Sequence, residues 1–138
     1  MTGFVVDASV AVKWLVHEPL SEQAAKLLDD DLPLAAPELI YAEVANALWA
    51  ISRRGDIGAA DVREALDLLA DAPLMVASSM KQLMAVAARL ASDLDHPVYD
   101  CMYLALALQE QRPVITADLR FCRAVQSHPY LSEQVIGL

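Results

Sequence analysis

The sequence predicts an α/β fold in which a central, mainly parallel sheet is covered by helices on both faces. Short apolar runs typical of buried strands alternate with longer segments of helical periodicity along the whole chain. Such alternation favours parallel strands joined by right-handed crossovers. Two apolar runs, residues 4–6 and 113–116, are each followed closely by an aspartate, Asp7 and Asp118. Because open α/β sheets bind ligands at the carboxyl ends of their strands, these aspartates are the first candidates for a site.

Length and composition predict one folded domain covering residues 1–138. The chain has 138 residues, of which 57% are hydrophobic and 21% charged, and these values exclude global disorder. No apolar run is long enough to cross a bilayer and no signal peptide is evident, so we expect no membrane contact. Cys101 and Cys122 lie in helix-like sequence and are expected to be free buried thiols, which favours a cytoplasmic protein.

The net charge of −9 argues against a broad basic surface of the kind that many nucleic-acid-binding proteins use. An acidic balance more often reflects solubility alone. It is also expected where carboxylates are concentrated to hold a cation that then meets a phosphate group.

The first half of the chain predicts two strands and three helices. Residues 4–6 form a strand, and Ser9 is a candidate cap for a helix over 10–15. Ser21 is the candidate cap of a short helix over 24–28, and residues 34–36 form a short strand between two prolines. A long helix follows over about 38–53, with Gly55 as its expected C-terminal cap. Glu43 lies at the edge of the buried face of this helix, one turn from Asn46.

The second half predicts two more strands within helical sequence, and a final edge strand. A helix over 61–70 precedes a strand over 74–77, and Ser78 or Ser79 caps the helix that runs to residue 94. The next helix opens near His96, and residues 101–108 are apolar on nearly every face, which predicts burial in the core or in a subunit interface. The strand over 113–116 is followed by a short helix, and residues 134–136 form the edge strand.

Four acids stand out in this arrangement because two follow strands and two occupy the inner sides of helices. Asp100 lies in the first turn of its helix, where the helix dipole explains its negative charge but not its apolar neighbours. Together with Asp7, Glu43 and Asp118 it would form a cluster of like charges, which is costly unless a cation is shared. Oxygen ligands of this kind suit Mg²⁺ or Mn²⁺ rather than zinc.

Two hydroxyl residues are placed to support such a site, whereas the histidines are not predicted to take part. Ser9 and Thr116 lie beside the two strand-end aspartates and can orient a ligand or a water. His17, His96 and His128 show no metal-ligand spacing and are expected in loops or at the surface. Carboxylates that hold Mg²⁺ with several waters are the usual equipment for phosphoryl chemistry.

Four short motifs together resemble the PIN-domain ribonucleases, and most closely the VapC-type toxins of bacterial toxin–antitoxin pairs. In chain order they are Asp7-x-Ser9, Pro37-Glu38-Leu39 leading to Glu43-Val44-x-Asn46-x-Leu48, Tyr99-Asp100 followed by Tyr103-Leu104-Ala105-Leu106-Ala107, and Thr116-x-Asp118-x-x-Phe121. Each motif is weak alone, but the set spans nearly the whole chain in matching order and at fitting distances.

The resemblance implies a three-layer α/β/α domain and Mg²⁺- or Mn²⁺-dependent cleavage of RNA. It also implies a homodimer and an antitoxin protein that blocks the acidic cleft. By the motif match, the catalytic and metal-binding acids are Asp7, Glu43, Asp100 and Asp118, and the supporting polar residues are Ser9, Asn46 and Thr116. The candidates for RNA contact are Lys13, Arg53, Arg54, Arg112 and Arg120.

Three other functions remain to be compared with this one. An aspartyl phosphatase of the haloacid dehalogenase type would need a second aspartate where Ser9 stands. A phospho-receiver domain would need a mid-chain acceptor aspartate and a late lysine, and no lysine follows Lys81. A catalytically silent PIN-fold binding module is the third alternative, and the complete set of acids argues against it.

Overall fold

The computed structural model describes residues 3–77 and 79–138 and confirms the predicted three-layer α/β/α architecture. Within these residues, five strands form one all-parallel sheet: β1 (Phe4–Val6), β2 (Leu34–Pro37), β3 (Met75–Ala77), β4 (Val114–Thr116) and β5 (Val135–Gly137). The same part of the chain contains seven α-helices: α1 (Ala8–Leu15), α2 (Ser21–Asp29), α3 (Leu39–Arg53), α4 (Ala59–Ala70), α5 (Met80–Leu94), α6 (Val98–Glu110) and α7 (Leu119–Gln126). A 3-10 helix, Ser132–Gln134, leads into β5.

In the strand order, β3-β2-β1-β4-β5, successive strands are added on one side of β1 up to β3 and then on its other side, so the order reverses between β1 and β4. From β1 the chain builds outward to β3, and it then returns across the sheet to β4. With the right-handed crossovers that parallel strands adopt, α1–α4 cover one face and α5–α7 the other. The contacts agree, because α1 packs on α2, α3 and α4, whereas α6 packs on α5 and on the central strands. A crevice is therefore expected at the carboxyl ends of β1 and β4.

Helix α6 is the most deeply buried helix among the residues that the structure describes. Every side chain from 101 to 107 is buried against the sheet, α5 or the 3-10 helix, and only Leu108 of the predicted apolar segment is exposed. The apolar character of residues 101–108 is thus explained within one chain, and it needs no subunit interface. Cys101 and Cys122 are both free and buried, as predicted.

Two predicted helix caps are wrong. Asp7, not Ser9, is the residue before α1, with an extended backbone at φ −75° and ψ 151°, so Ser9 already lies inside the first turn. Helix α2 begins at Ser21 itself, whose hydroxyl accepts a hydrogen bond from the Glu18 amide and donates one to the Val16 carbonyl. In both cases the serine hydroxyl finds a partner outside the helix, which outweighs its local capping preference.

Two other predicted helix ends agree with the structure. Ser79 caps α5 by accepting a hydrogen bond from the Gln82 amide at 3.3 Å, and Ser78, the other candidate, lies outside the described residues. Gly55 ends α3 with φ +87°, a conformation that glycine adopts without strain. None of the helices in the described ranges is both long and apolar enough to span a membrane.

Gly3 has a role that depends on its lack of a side chain. Its φ is +77°, and a Cβ atom there would stand 1.8 Å from the carbonyl oxygen of Pro33. That carbonyl accepts the hydrogen bond from the Phe4 amide at 3.0 Å, so it cannot move away without loosening the start of β1.

We therefore expect Gly3→Ala to destabilise the protein by more than the roughly 1–3 kcal/mol of backbone strain alone. Gly55→Ala is the matched control, because Gly55 also has a positive φ but has no atom within 4 Å of the added Cβ. Urea unfolding of both variants measures the two losses. Equal losses in free energy of unfolding would contradict the steric role assigned to Gly3.

Candidate metal centre

Asp7 is held at the end of β1 by two hydroxyl groups. Its side chain is 4% exposed, and Ser9 and Thr116 both donate to its Oδ2, at 2.5 and 2.9 Å. Each hydroxyl also accepts a backbone N–H, from Ala117 and Asp118 respectively, at 3.0 Å. Because each hydroxyl has a single proton, the backbone donors direct both protons towards Asp7. The other oxygen of Asp7, Oδ1, is left available to a ligand.

Asp100 has a different partner, which the sequence reasoning missed. Nε2 of His96 lies 2.6 Å from Oδ2 of Asp100, and the imidazole packs against the ring of Phe121 with centroids 5.2 Å apart. His96 lies in the loop between α5 and α6, as predicted, but not at the surface, since its side chain is 7% exposed. The signal that could have found this pair is the spacing of four residues across a helix start.

Glu43 approaches the same region from α3. Burial raises the pKa of its carboxyl, the Tyr103 hydroxyl opposes that rise, and the charges of Asp7 and Asp100 add to it. Burial likewise raises the pKa of Asp7, the hydrogen bonds from its two hydroxyl partners lower it, and the charge of Asp100 raises it again. These carboxylates, from β1, α3 and α6, therefore lie close enough to influence one another.

Tyr103 is a second residue that sequence reasoning did not single out as functional. It is fully buried on α6, and its hydroxyl has no hydrogen-bond partner within the described residues. Oε1 of Glu43 is also shielded from solvent and has no partner of ordinary geometry in that same region. Burial first, and then the charge of Glu43, raise the pKa of Tyr103, so the hydroxyl keeps its proton.

Asp118 lies at the margin of the cluster and caps α7. Its Oδ1 accepts hydrogen bonds from the Arg120 and Phe121 amides at 3.0 and 3.2 Å, and Oδ2 is left available. It is linked to Asp7 through the hydroxyl of Thr116. The charges that raise the pKa of Asp7 and Glu43 belong to other acids, so Asp118 is a neighbour of the cluster rather than part of its centre.

Asn46 is exposed one turn along α3 from Glu43 and is not among the side chains that bond to the acids.

The basic residues proposed for RNA contact do not bond to the acids either, and three of them already interact with other side chains. Lys13 and Arg54 form ion pairs, and Arg53 lies over a tryptophan ring. Arg112 precedes the amino end of β4, whereas the acids lie beyond its carboxyl end. Arg120 is exposed in the first turn of α7 beside Asp118.

The donor set fits a hard divalent cation, although the side chains are not gathered into a complete coordination shell. In residues 3–77 and 79–138, no group of three His, Cys, Asp or Glu side chains converges tightly enough to ligate one ion. Mg²⁺ usually retains several waters and contacts only one or two carboxylates, so it does not need tighter convergence. The free oxygens of Asp7 and Asp100, together with the buried carboxyl of Glu43, are the groups that favour a cation here.

Comparison with known proteins gives a consistent family. The family model described as PIN domain matches residues 4–126. Ribonuclease VapC9 of Mycobacterium tuberculosis is 34% identical over 119 residues, which cover 84% of this chain and 86% of that protein.

Solved structures agree in fold. The crystal structure of PAE2754 from Pyrobaculum aerophilum superposes with a TM-score of 0.72 at 20% identity, covering 99% of this chain and 90% of that one. A toxin–antitoxin complex from Klebsiella pneumoniae gives a TM-score of 0.64 at 13% identity, with 97% and 96% coverage. At these sequence identities, the two structural similarities support the fold and nothing further.

The raised pKa values of Asp7 and Glu43 predict how pH affects stability in the absence of metal. A raised pKa means that the folded state holds the proton more tightly than the unfolded chain. The ionised acids therefore destabilise the fold above the folded pKa, and the penalty fades as pH falls through it. In EDTA, Asp7→Asn should melt above the parent at neutral pH, and the difference should shrink at mildly acidic pH.

Thermal melting at both pH values checks this expectation, with Asp30→Asn as a control on an exposed residue that follows α2. The asparagine oxygen can still accept the bonds from Ser9 and Thr116, so the variant removes the charge and keeps the network. A metal-free Asp7→Asn protein that melts below the parent at neutral pH would contradict the assigned repulsion and burial cost.

Proposed function

The chain belongs to the PIN domain family, and we propose that it is a VapC-type endoribonuclease, the toxin of a toxin–antitoxin pair. The named relative is a ribonuclease and resembles this chain over most of both lengths. The observation that carries the proposal is the cluster of Asp7, Glu43 and Asp100 near the carboxyl ends of β1 and β4, where none of the described basic residues contributes to the raised pKa values. We propose that residues 1–138 form a single nuclease domain. Its substrate would be RNA, and its location the cytoplasm.

We propose further that the four acids hold Mg²⁺ or Mn²⁺. Asp7, Glu43 and Asp100 would hold the ion at its centre, one or two of them directly and the others through its waters, and Asp118 would contribute from the margin. A bound divalent cation would supply Lewis-acid polarisation of the scissile phosphate and lower the pKa of an attacking water. Because the net charge is −9, RNA binding near the acids should itself depend on the cation.

The residues around the acids perform the positioning that such chemistry requires. Ser9 and Thr116 hold Oδ2 of Asp7 and leave its Oδ1 free for a ligand, and His96 does the same for Oδ2 of Asp100. Partners of this kind orient a carboxylate ligand and tune its basicity. Arg120, exposed beside Asp118, is the basic residue best placed to meet an RNA phosphate.

An antitoxin protein is the second proposed partner. One structural neighbour is a toxin–antitoxin complex, and the acidic crevice offers a clear target for an inhibitor. We propose that the antitoxin has a DNA-binding N-terminal part and a C-terminal segment that covers the crevice. An arginine or lysine of that segment would pair with the acids, because charge-assisted bonds to carboxylates are among the strongest available.

A homodimer is also proposed, but on a different basis from the sequence prediction. Helix α6 buries its apolar residues within one chain, so it no longer supports an interface. The remaining argument is the exposure of large apolar side chains on other elements, among them Trp49, Met75 and Met84, which are more than half exposed. Light scattering at micromolar concentration should give twice the monomer mass, and a monomer mass would contradict the dimer.

Catalysis provides the direct test. Asp7→Asn and Glu43→Gln should each reduce metal-dependent RNA cleavage by more than about a hundredfold, since loss of a supporting group alone typically costs 10–100-fold. Asp118→Asn separates two roles, because asparagine caps a helix as well as aspartate but lacks the ligand charge. Cleavage of total RNA with Mg²⁺, Mn²⁺ or EDTA measures the effect, and Asp30→Asn should behave as the parent.

The same assay separates the proposal from its alternative. A pure, folded parent that cleaves no RNA with either metal would favour a silent binding module of PIN fold. Full metal-dependent cleavage by Asp7→Asn would remove the acids from the mechanism. Either result leaves the family assignment intact, because that assignment depends on the comparisons rather than on activity.

A further inference from the structure

Three of the four acids follow one pattern of hydrogen bonding. Each uses one carboxylate oxygen to accept from a group of the protein and leaves the other oxygen open. Asp7 accepts from two hydroxyls, Asp100 from an imidazole and Asp118 from two backbone amides. Glu43 departs from this pattern, because its Oε1 is sealed from solvent and has no partner of ordinary geometry within the described residues.

The Tyr103 hydroxyl, a second buried group without a partner of ordinary geometry in the described residues, lies near the Glu43 carboxyl. Tyr103 is close enough to Glu43 to affect the ionisation of its carboxyl, yet the two groups do not complete an ordinary hydrogen bond. A buried hydroxyl with no acceptor and a buried carboxylate oxygen with no donor are both unfavourable. If Tyr103 served packing alone, phenylalanine would fill the same space without that cost.

We propose that Tyr103 is the positioning residue of Glu43. Its hydroxyl donates to Oε1, and this bond holds the other oxygen, Oε2, towards the crevice where the acids meet. Glu43 then follows the same pattern as the other three acids, with one oxygen fixed by the protein and one free for a ligand. The inference rests on the proposed cation site, since it assigns Tyr103 a role in preparing one of its ligands.

Mn²⁺ binding by RNA-free protein tests the proposal without reference to activity. Tyr103→Phe keeps the ring and removes only the hydroxyl. We expect it to weaken Mn²⁺ binding by about 10–100-fold, the usual cost of losing a group that orients a metal ligand. Tyr41→Phe, on the same helix as Glu43 but partly exposed, is the matched control and should bind Mn²⁺ as the parent does. The free Mn²⁺ signal in electron paramagnetic resonance gives the dissociation constants.

A double-mutant cycle separates positioning from general loosening of the fold. If Tyr103 acts through Glu43, then adding Tyr103→Phe to a Glu43→Gln protein should change Mn²⁺ affinity by less than about twofold. An equal loss in both backgrounds would mean a merely structural role and would overturn the inference. Melting curves in EDTA check that each variant is folded.

The outcomes also distinguish this inference from the proposed function. If the parent binds Mn²⁺ and Glu43→Gln weakens binding, but Tyr103→Phe matches the parent, the inference fails and the metal site stands. If the parent binds no Mn²⁺, both fail. Should Tyr103→Phe not fold, proton NMR of the otherwise unchanged protein serves instead. The Tyr103 hydroxyl proton should exchange slowly and shift in Glu43→Gln, and an unchanged resonance would overturn the inference.

Discussion

Two hydroxyl protons directed at one carboxylate oxygen are the interaction on which the candidate centre depends. Ser9 follows β1 and Thr116 ends β4, so the bonds that both make to Asp7 connect the two parallel strands between which the strand order reverses. The backbone amides of residues 117 and 118 fix the direction of both bonds. The site therefore lies at the point where the strand order reverses, which is where parallel α/β proteins bind ligands.

The cluster of acids is tolerated because helix N-termini converge on it. Asp7 and Asp118 occupy the positions before α1 and α7, and Asp100 lies in the first turn of α6. The positive ends of these dipoles offset negative charge without placing a lysine or arginine in the crevice. Glu43 lies beyond the first turn of α3, where the dipole is weak, which makes a neighbouring donor more important for it.

Sequence patterns predicted the elements of the fold, because these follow from local rules, and they also selected the four acids as a site, which stays a prediction. Asp7 and Asp118 were recognisable from strands that end in an aspartate, and Glu43 and Asp100 from helical faces. The roles of His96 and Tyr103 depend on tertiary contacts, of the His96 ring with Phe121 and of the Tyr103 hydroxyl with the Glu43 carboxyl, and no local pattern contains that information. Ser9 was predicted both to cap a helix and to orient a ligand; the cap is wrong, since its hydroxyl donates to Asp7, and the second role stays a prediction.

The bond between Thr116 and Asp7 spans 109 positions of the chain, and this separation has a consequence for biosynthesis. A nascent polypeptide that has not yet reached β4 lacks both Thr116 and Asp118, so Asp7 emerges from the ribosome with Ser9 but without Thr116, the second hydroxyl that orients it. Contacts between such distant residues also form late in folding, since the loop between them must close first. A centre assembled in this order is complete only after β4 and α7 have been translated, so a chain that stops earlier carries Asp7 without Thr116 and Asp118.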